Sequence, residues 1–458
     1  MSDQRIVIVG AGPAGLRAAE RLVDHGLRPI LLDEAPRVGG RIYQQAPEGA
    51  GFRRNAKTLY GFEAGKAERL FATHARIRDS IEHRAGAVAF DIADDRLIAL
   101  IDGERQEIGF DRLVLATGAM DRVMPLPGWT LPGVFTLGAA QIALKHQGCA
   151  IGHHVAFLGA GPLLYLAAYQ YAKAGVTVAA VVSSASLSSI AGSLPGLAAQ
   201  PTTTAKGFAY IAKLRSWGIP VIGGARPSRL LGRDTVETLE VLVDGRIRNI
   251  DCDAVALGYG LKSETQLAEL CGAQFAYDRD QQQWVPEIDA YGRAIGRQGV
   301  YLAGDGAGIG GADAAELRGM LAAEAVLQDL GLPRRDEKAD AVLKSLQRWR
   351  QFRRAMDYGF PFPGVFAKEL PDETVLCRCE NVTAGEVRSA ADQGLREINR
   401  VKAATRLGMG RCQGRICGAA GAEVLAARLG VSVDSVGRLR TQPPIKPVPI
   451  AALAGADE

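Results

Sequence analysis

The run Ile6-Val-Ile-Val-Gly-Ala-Gly-Pro-Ala-Gly15 sets a short apolar strand directly before glycines 10, 12 and 15, an order that few architectures accept. Gly10 lets the chain turn sharply out of the strand. Gly12 lets backbone amides approach a pyrophosphate, and Gly15 lets the following helix pack closely on the sheet. The mechanism then needs an acid at the tip of the second strand to accept hydrogen bonds from an adenosine ribose. Asp33 stands there, with Glu34 beside it as the second candidate. Gly10, Gly12, Pro13, Ala14 and Gly15, with Asp33, are therefore expected to line a dinucleotide site.

The motif recurs as Gly159-Ala-Gly-Pro-Leu-Leu164, altered. Leu164 replaces the third glycine, and the next strand, Val176 to Val182, ends in Ser183-Ser184, with neither a carboxylate for NAD nor an arginine for the 2′-phosphate of NADP. This second module is expected to be a scaffold or to bind a nucleotide without catalytic use.

Apolar runs at Ile6 to Val9, Arg28 to Leu32, Arg112 to Leu115, His154 to Leu158, Val176 to Val182, Ala254 to Leu257 and Val300 to Leu302 alternate with helix-type segments. That alternation predicts parallel sheets covered by helices on both faces. The fold class is α/β: two nested Rossmann-like dinucleotide-binding domains plus a small C-terminal helical domain. We expect the first domain at 1–119 and 285–335, the inserted second domain at 120–284, a helical linker at 336–372, a cysteine domain at 373–430 and a Pro-rich extended tail at 431–458. The tail, Thr441-Gln-Pro-Pro-Ile-Lys-Pro-Val-Pro449, is expected to pack as a strap, because each proline fixes its own φ and restricts the residue before it. With 458 residues, ample core is available, and a formal charge of +4 is too slight to imply nucleic acid. The first apolar run is too short for a signal peptide's core and no apolar stretch reaches membrane-spanning length, so a cytoplasmic protein is expected, membrane-associated only through a complex.

Cys377-x-Cys379 and Cys412-x-x-x-x-Cys417 form a ligand set for an inorganic centre. Four thiolates suit a [2Fe-2S] cluster, a [4Fe-4S] cluster or zinc. The first pair is tight for zinc, and the second lies in a glycine-rich loop opening a helix, whose amides can stabilise cluster sulfurs. Cys149, Cys252 and Cys271 stand alone and are expected to be buried structural thiols; without a paired redox dithiol, disulfide reduction is excluded. The six histidines form no ligand or triad spacing, His153-His154 is read as a solvated turn, and Tyr165 and Tyr169 as core. The stretch Arg348-Trp-Arg-Gln-Phe-Arg-Arg354 reads as a solvated helix face that could instead seat a partner.

Arg112-Leu-Val-Leu-Ala-Thr-Gly118 and Val300-Tyr-Leu-Ala-Gly-Asp305 resemble the second and third signatures of flavoproteins with two dinucleotide-binding domains. The resemblance implies FAD, held also by Thr117, Gly118 and Gly304, with Asp305 on its ribityl chain and Gly40 and Arg41 near the flavin. The cysteine region, from Val375-Leu-Cys-Arg-Cys-Glu-Asn381 to Gly410-Arg-Cys-Gln-Gly-Arg-Ile-Cys417, is similar to the [2Fe-2S] domain of bacterioferritin-associated ferredoxins. Together these features resemble the larger subunit of heteromeric amino-acid and opine dehydrogenases. That implies an electron outlet with no catalytic residue of its own: a partner β subunit containing FAD and resembling glycine oxidase oxidises a secondary amine, FMN sits at the interface, and an external acceptor receives the electrons from a hetero-oligomer. Two alternatives are a self-sufficient NAD(P)H-dependent oxidoreductase and a non-catalytic assembly subunit holding zinc.

Overall fold

The computed structural model describes residues 4–47, 49, 54–332 and 336–453. Its first parallel sheet runs in the order Val300–Leu302, Arg112–Leu115, Ile6–Val9, Ile30–Asp33, Glu82–Ala85. All four residues of Ile6–Val9 are buried, as a strand covered on both faces requires. Pro13–Val23 follows, with Pro13 in its first turn, where the missing N–H costs nothing. It packs along Ala312–Asp329, where Gly319 is pressed onto the Ala14 carbonyl. Between the third and fourth sequential strands of this sheet, an antiparallel meander is inserted: Val88–Ala93, Arg96–Ile101 and Glu104–Gly109.

The second parallel sheet has the order Val221–Ile222, Thr177–Ser183, His154–Ala160, Ala254–Tyr259, Val134–Thr136 and carries its own meander, Arg226–Leu231, Thr238–Val243 and Arg246–Asp251. Two antiparallel crossing strands, Ala119–Asp121 and Leu261–Ser263, join the modules. Leu267, Ala268, Cys271 and Ala273 pack in one core with Val7, Leu32 and Leu113 of the first sheet. The chain thus returns to the first module directly after Ser263, earlier than the expected boundary at 284.

Helix Asp336–Gly359 runs along Leu187–Leu197 and Ala312–Asp329 and ends before Pro361 and Pro363. The C-terminal region is a hairpin, Val375–Cys377 with Val382–Thr383, followed by helices Ala384–Asp392, Ile398–Thr405 and Cys417–Leu429. Its core is continuous with that of the second module. Trp129 is buried at the junction, donating Nε1–H to the Val375 carbonyl at 2.6 Å beneath the Arg378 guanidinium. The Pro-rich tail crosses back to the first module, where Ile445 is buried and its N–H reaches the Phe90 carbonyl at 2.9 Å. Residues 454–458, the end of the expected tail, lie outside the described residues. Among the described residues no helix is long and apolar enough to cross a membrane.

Candidate functional site: a dinucleotide cradle beside a four-thiol group

The first glycine loop emerges at the C-terminal end of its strand, where open α/β sheets bind nucleotides. Gly10 has φ +109°, and a Cβ there would fall 2.3 Å from the Ala116 oxygen; one on Gly15 would fall 1.8 Å from the Gly10 oxygen. No other residue type fits at either place. Gly40 faces Gly12 across the loop, so this wall carries only backbone. Asp33 clamps the loop: one oxygen accepts from the Ala11 amide at 2.5 Å and the other from the Ala35 amide at 2.7 Å. Burial raises its pKa. Each oxygen keeps a lone pair for a further donor. Glu34 points elsewhere, pairing with Arg41 and, at 2.9 Å, with Lys446 of the tail. Although burial opposes its ionisation, Lys446 and Arg41 hold its carboxyl below the usual range. Arg41, expected near the flavin, is thus committed to an ion pair and more than half exposed.

The other two signatures converge on the same end of the sheet. Thr117 Oγ1 donates to the Glu264 carbonyl at 2.7 Å, and the Glu264 amide donates to the Gly118 carbonyl at 3.0 Å. Asp305 braces its own turn, accepting from the Gly310 and Gly311 amides at 2.8 and 3.0 Å, while Arg318 donates to the carbonyls of Gly304 and Gly308. Gly10 to Gly15, Asp33, Gly40, Thr117, Gly118, Gly304 and Asp305 therefore form one cradle.

The second glycine motif departs from the first at its third glycine position and at the tip of its second strand, while Gly161 faces open space. Leu164 is fully buried, and the strand end is occupied by its own bonds: the Ser184 amide reaches the Gly159 carbonyl at 2.9 Å, and the buried Ser183 hydroxyl accepts from the Ala185 amide at 3.3 Å.

The cysteines converge. Cys417 is within hydrogen-bonding reach of both Cys377 and Cys412, and Cys412 of Cys379. The hydrogen bond with the Cys417 thiol brings Cys377 down to about 6 and Cys412 down to about 5, while Cys417 itself is pushed well up. The arrangement differs from a finished metal site: among the described residues no group of three or more His, Cys, Asp or Glu side chains is spaced to hold a metal ion. Cys252 and Cys271 are buried, and burial pushes both thiols up to about 12. Cys149, expected to be buried, is exposed.

Cradle and thiol group are joined by one segment. Glu264, whose backbone holds Thr117 and Gly118, sends its carboxylate to Arg415 at 2.6 Å, inside the cysteine loop, with both side chains nearly buried. Gln266 Nε2 reaches the Gln413 carbonyl at 3.1 Å, and Arg415 also donates to the Ile445 carbonyl.

Two features escaped sequence reasoning. A cavity of about 320 Å³ opens beside the Gly308–Gly310 turn, lined by Arg318, Trp349, Arg350, Arg353 and Arg354. The basic stretch expected to be a solvated face is in part this wall, Arg353 pairing with Asp357 and Arg354 with Asp280. The aromatic pair Trp349 and Phe352, three apart in the basic run, was the available signal. Lys145 has no sequence signal: it is buried, donates to the Ile42 carbonyl at 3.0 Å, and burial brings it down to about 7. His153 and His154 donate backbone amides to the Asp253 carboxylate, His154 opening its strand, and Tyr165 and Tyr169 are core.

Residues 4–328 match the family described as pyridine nucleotide-disulphide oxidoreductase, and residues 373–457 match the sarcosine oxidase A3 domain. The chain is 35% identical to the opine oxidase A subunit of Agrobacterium tumefaciens (strain Ach5), over 98% of this chain and 91% of that one. It is 31% identical to the HcnB subunit of hydrogen cyanide synthase from Pseudomonas protegens, over 99% and 98%. Among solved structures, L-proline dehydrogenase from P. horikoshii superposes with a TM-score of 0.72 at 22% identity, covering 99% of this chain and 79% of that one, a likeness of fold. The chain is an oxidoreductase with a flavin-binding fold and belongs, within the pyridine nucleotide-disulphide oxidoreductase family, to the heteromeric flavoprotein subunits that include the opine oxidase A subunit.

Proposed function

We propose that this chain is the electron-transferring flavin and iron-sulfur subunit of a heteromeric dehydrogenase that oxidises a secondary-amine amino acid of the opine, proline, hydroxyproline or sarcosine type. A partner FAD subunit resembling glycine oxidase takes the electrons from the amine; this chain relays them to an external acceptor. The observation that carries the reading is the bracket at Glu264, whose backbone holds the Thr117–Gly118 turn of the cradle and whose carboxylate holds Arg415 in the cysteine loop.

The residues suit the groups the reading requires. The backbone-only wall of Gly10, Gly12 and Gly40 leaves room for a pyrophosphate beside the amides that open helix Pro13–Val23. The remaining lone pairs of Asp33 suit the ribose hydroxyls of FAD, and Asp305 would take its ribityl chain, as the family resemblance implies. Cys377, Cys379, Cys412 and Cys417 would hold a [2Fe-2S] cluster; the pKa of two of the thiols is already lowered, and binding metal would release the remaining protons. Such a centre, beside a flavin that accepts electrons in pairs, supplies one-electron chemistry. A second flavin, FMN, would find Arg350, which has no carboxylate partner among the described residues, and the Trp349 ring in the cavity beside the Gly308–Gly310 turn, which Asp278, Asp280, Asp289 and Asp357 also line. No residue of this chain is assigned to amine oxidation.

Expression with the adjacent glycine-oxidase-like subunit, anaerobic purification, and assay of iron and labile sulfide test the reading. A rhombic EPR signal on reduction, with two irons per chain and a copurifying second flavoprotein, is expected. Zinc in place of iron, or rapid NAD(P)H turnover by the lone chain, refutes it.

A further inference from the structure

Positive charge is unevenly placed in this chain. Residues 373–440 hold eleven basic and seven acidic side chains, an excess of four that equals the formal charge of the whole chain, +4, so everything outside this region is balanced. Within the region several basic groups gather at one edge of the thiol group. Cys377 and Cys417 are buried and Cys412 is partly covered, whereas Cys379 is exposed and marks the side that reaches the surface. Gly410 is pressed against it: a Cβ on Gly410 would come 2.1 Å from the Cys379 Cβ. That contact sets Arg411 beside the exposed cysteine, and the Arg411 guanidinium has no hydrogen-bond or ion-pair partner among the described residues. On the other side Arg406, 65% exposed, pairs with Glu380, the residue after Cys379. Leu439 packs over Gly408 and Gly414 of the cysteine loop, which brings Arg440, 68% exposed and in a long 3.8 Å ion pair with Glu269, to the same rim. Lys402 donates to the Arg440 carbonyl and completes it.

We propose that this rim is the docking surface for the external electron acceptor, and that the acceptor is an acidic one-electron carrier protein. The proposal rests on the reading that electrons leave through the cysteine group. Complementary charge steers encounter and orients partners more than it adds affinity, and a basic collar around the exposed member of the four cysteines would present that sulfur first to an acidic face. With a one-electron centre held by the four cysteines, each encounter would pass one electron to an oxidised carrier, so two carriers would be reduced for every two-electron oxidation by the partner subunit.

The test uses the purified complex, reduced and freed of excess reductant, mixed by stopped flow with two one-electron oxidants of opposite surface charge: an acidic plant plastocyanin and a basic mitochondrial cytochrome c. At low ionic strength plastocyanin should be reduced about tenfold faster or more, with the advantage disappearing as salt is raised. Charge reversal in R411E or R440E should lower the plastocyanin rate about tenfold and raise that of cytochrome c, R411K should leave both unchanged, and the EPR signal of the cluster should be unaltered. If R411E loads cluster poorly, R440E, which lies outside the cysteine loop, decides. A plastocyanin rate indifferent to salt and to both reversals overturns the proposal. So does loss of the partner subunit in R411E, which would make the rim the subunit interface, or salt-sensitive binding to phosphatidylglycerol vesicles with carrier rates unmoved, which would make it a membrane contact. An iron-free complex without the EPR signal is a separate outcome: it removes the electron route itself, and the docking surface with it.

Discussion

Replacing Glu264 by leucine cuts the joint between the cradle and the cysteine loop while leaving both intact. Glu264 and Arg415 are 12% and 13% exposed and 2.6 Å apart. Removing one member of a buried pair costs about 3–5 kcal/mol, because the other charge stays buried and unanswered. The bond from Arg415 to the Ile445 carbonyl and the slight exposure reduce that, so we expect about 2–3 kcal/mol for E264L and about 1 kcal/mol for E264Q, which keeps an acceptor. Adding R415L to E264L should recover about 2 kcal/mol of the summed losses, the signature of direct coupling. A chain of several modules does not unfold in one step, so local opening is the better readout, measured by hydrogen exchange with mass spectrometry. A loss of 2–3 kcal/mol makes exchange through local opening roughly 30- to 150-fold faster. That acceleration should appear in peptides covering 262–268 and 410–418 and be absent from 6–16. Unchanged exchange at 410–418 in E264L, or simple additivity in the double variant, would show that the bracket is not what holds the loop.

Gly15→Ala should abolish flavin retention and lower the melting temperature by several degrees, since its Cβ would fall 1.8 Å from a backbone oxygen that cannot move without shifting the strand; bound-flavin absorbance and thermal scanning measure both. Burial, aided by the neighbouring His74, holds His83 at about 4 against 6.5 in the unfolded chain. Between those values the unfolded chain binds a proton that the folded chain refuses, so stability falls as the solution is acidified from pH 6.5 to 4, by about 1–2 kcal/mol after allowing for partial water access, and His83→Asn should flatten that limb of the melting-temperature profile. Stoichiometric NADH or NADPH should leave the flavin spectrum of the anaerobic chain unbleached, because the strand end at Ser183-Ser184 offers a nucleotide ribose neither a carboxylate nor an arginine. Of the three cysteines outside the C-terminal set, Cys149 should react at once with an aromatic disulfide reagent, and Cys252 and Cys271 only on unfolding.

The parallel strands were legible because a strand covered on both faces must be apolar throughout, and seven such runs lie at or within a few residues of the strands observed. The cradle was legible because its chemistry fixes residue types at fixed spacings: Gly10, Gly12, Gly15 and Asp33 are brought together as the motif requires. The two meanders were not, since strands such as Glu104–Gly109 and Arg246–Asp251 are half-exposed and charged. Their turns did leave a mark that went unused: Asp102-Gly103 and Asp244-Gly245 both take positive φ, as a two-residue hairpin turn demands. The boundary at 284 failed because residues 264–273 carry no composition change; only their packing on the first sheet reveals where they belong. Cys149 was misread because a single cysteine is buried on average, and its position after a helix end at the surface is a property of the tertiary structure.

The tail has a consequence for how the protein is made. The first sheet begins at Ile6, takes in Val300–Leu302 as its edge, and has Ile445 in the core against its meander. A ribosome that has released the glycine loop must therefore translate past Ile445 before the domain that loop belongs to can close. Until then its half-finished face stays open to solvent and to chaperones, while the inserted second sheet, whose strands all lie between Val134 and Tyr259, can already assemble on its own.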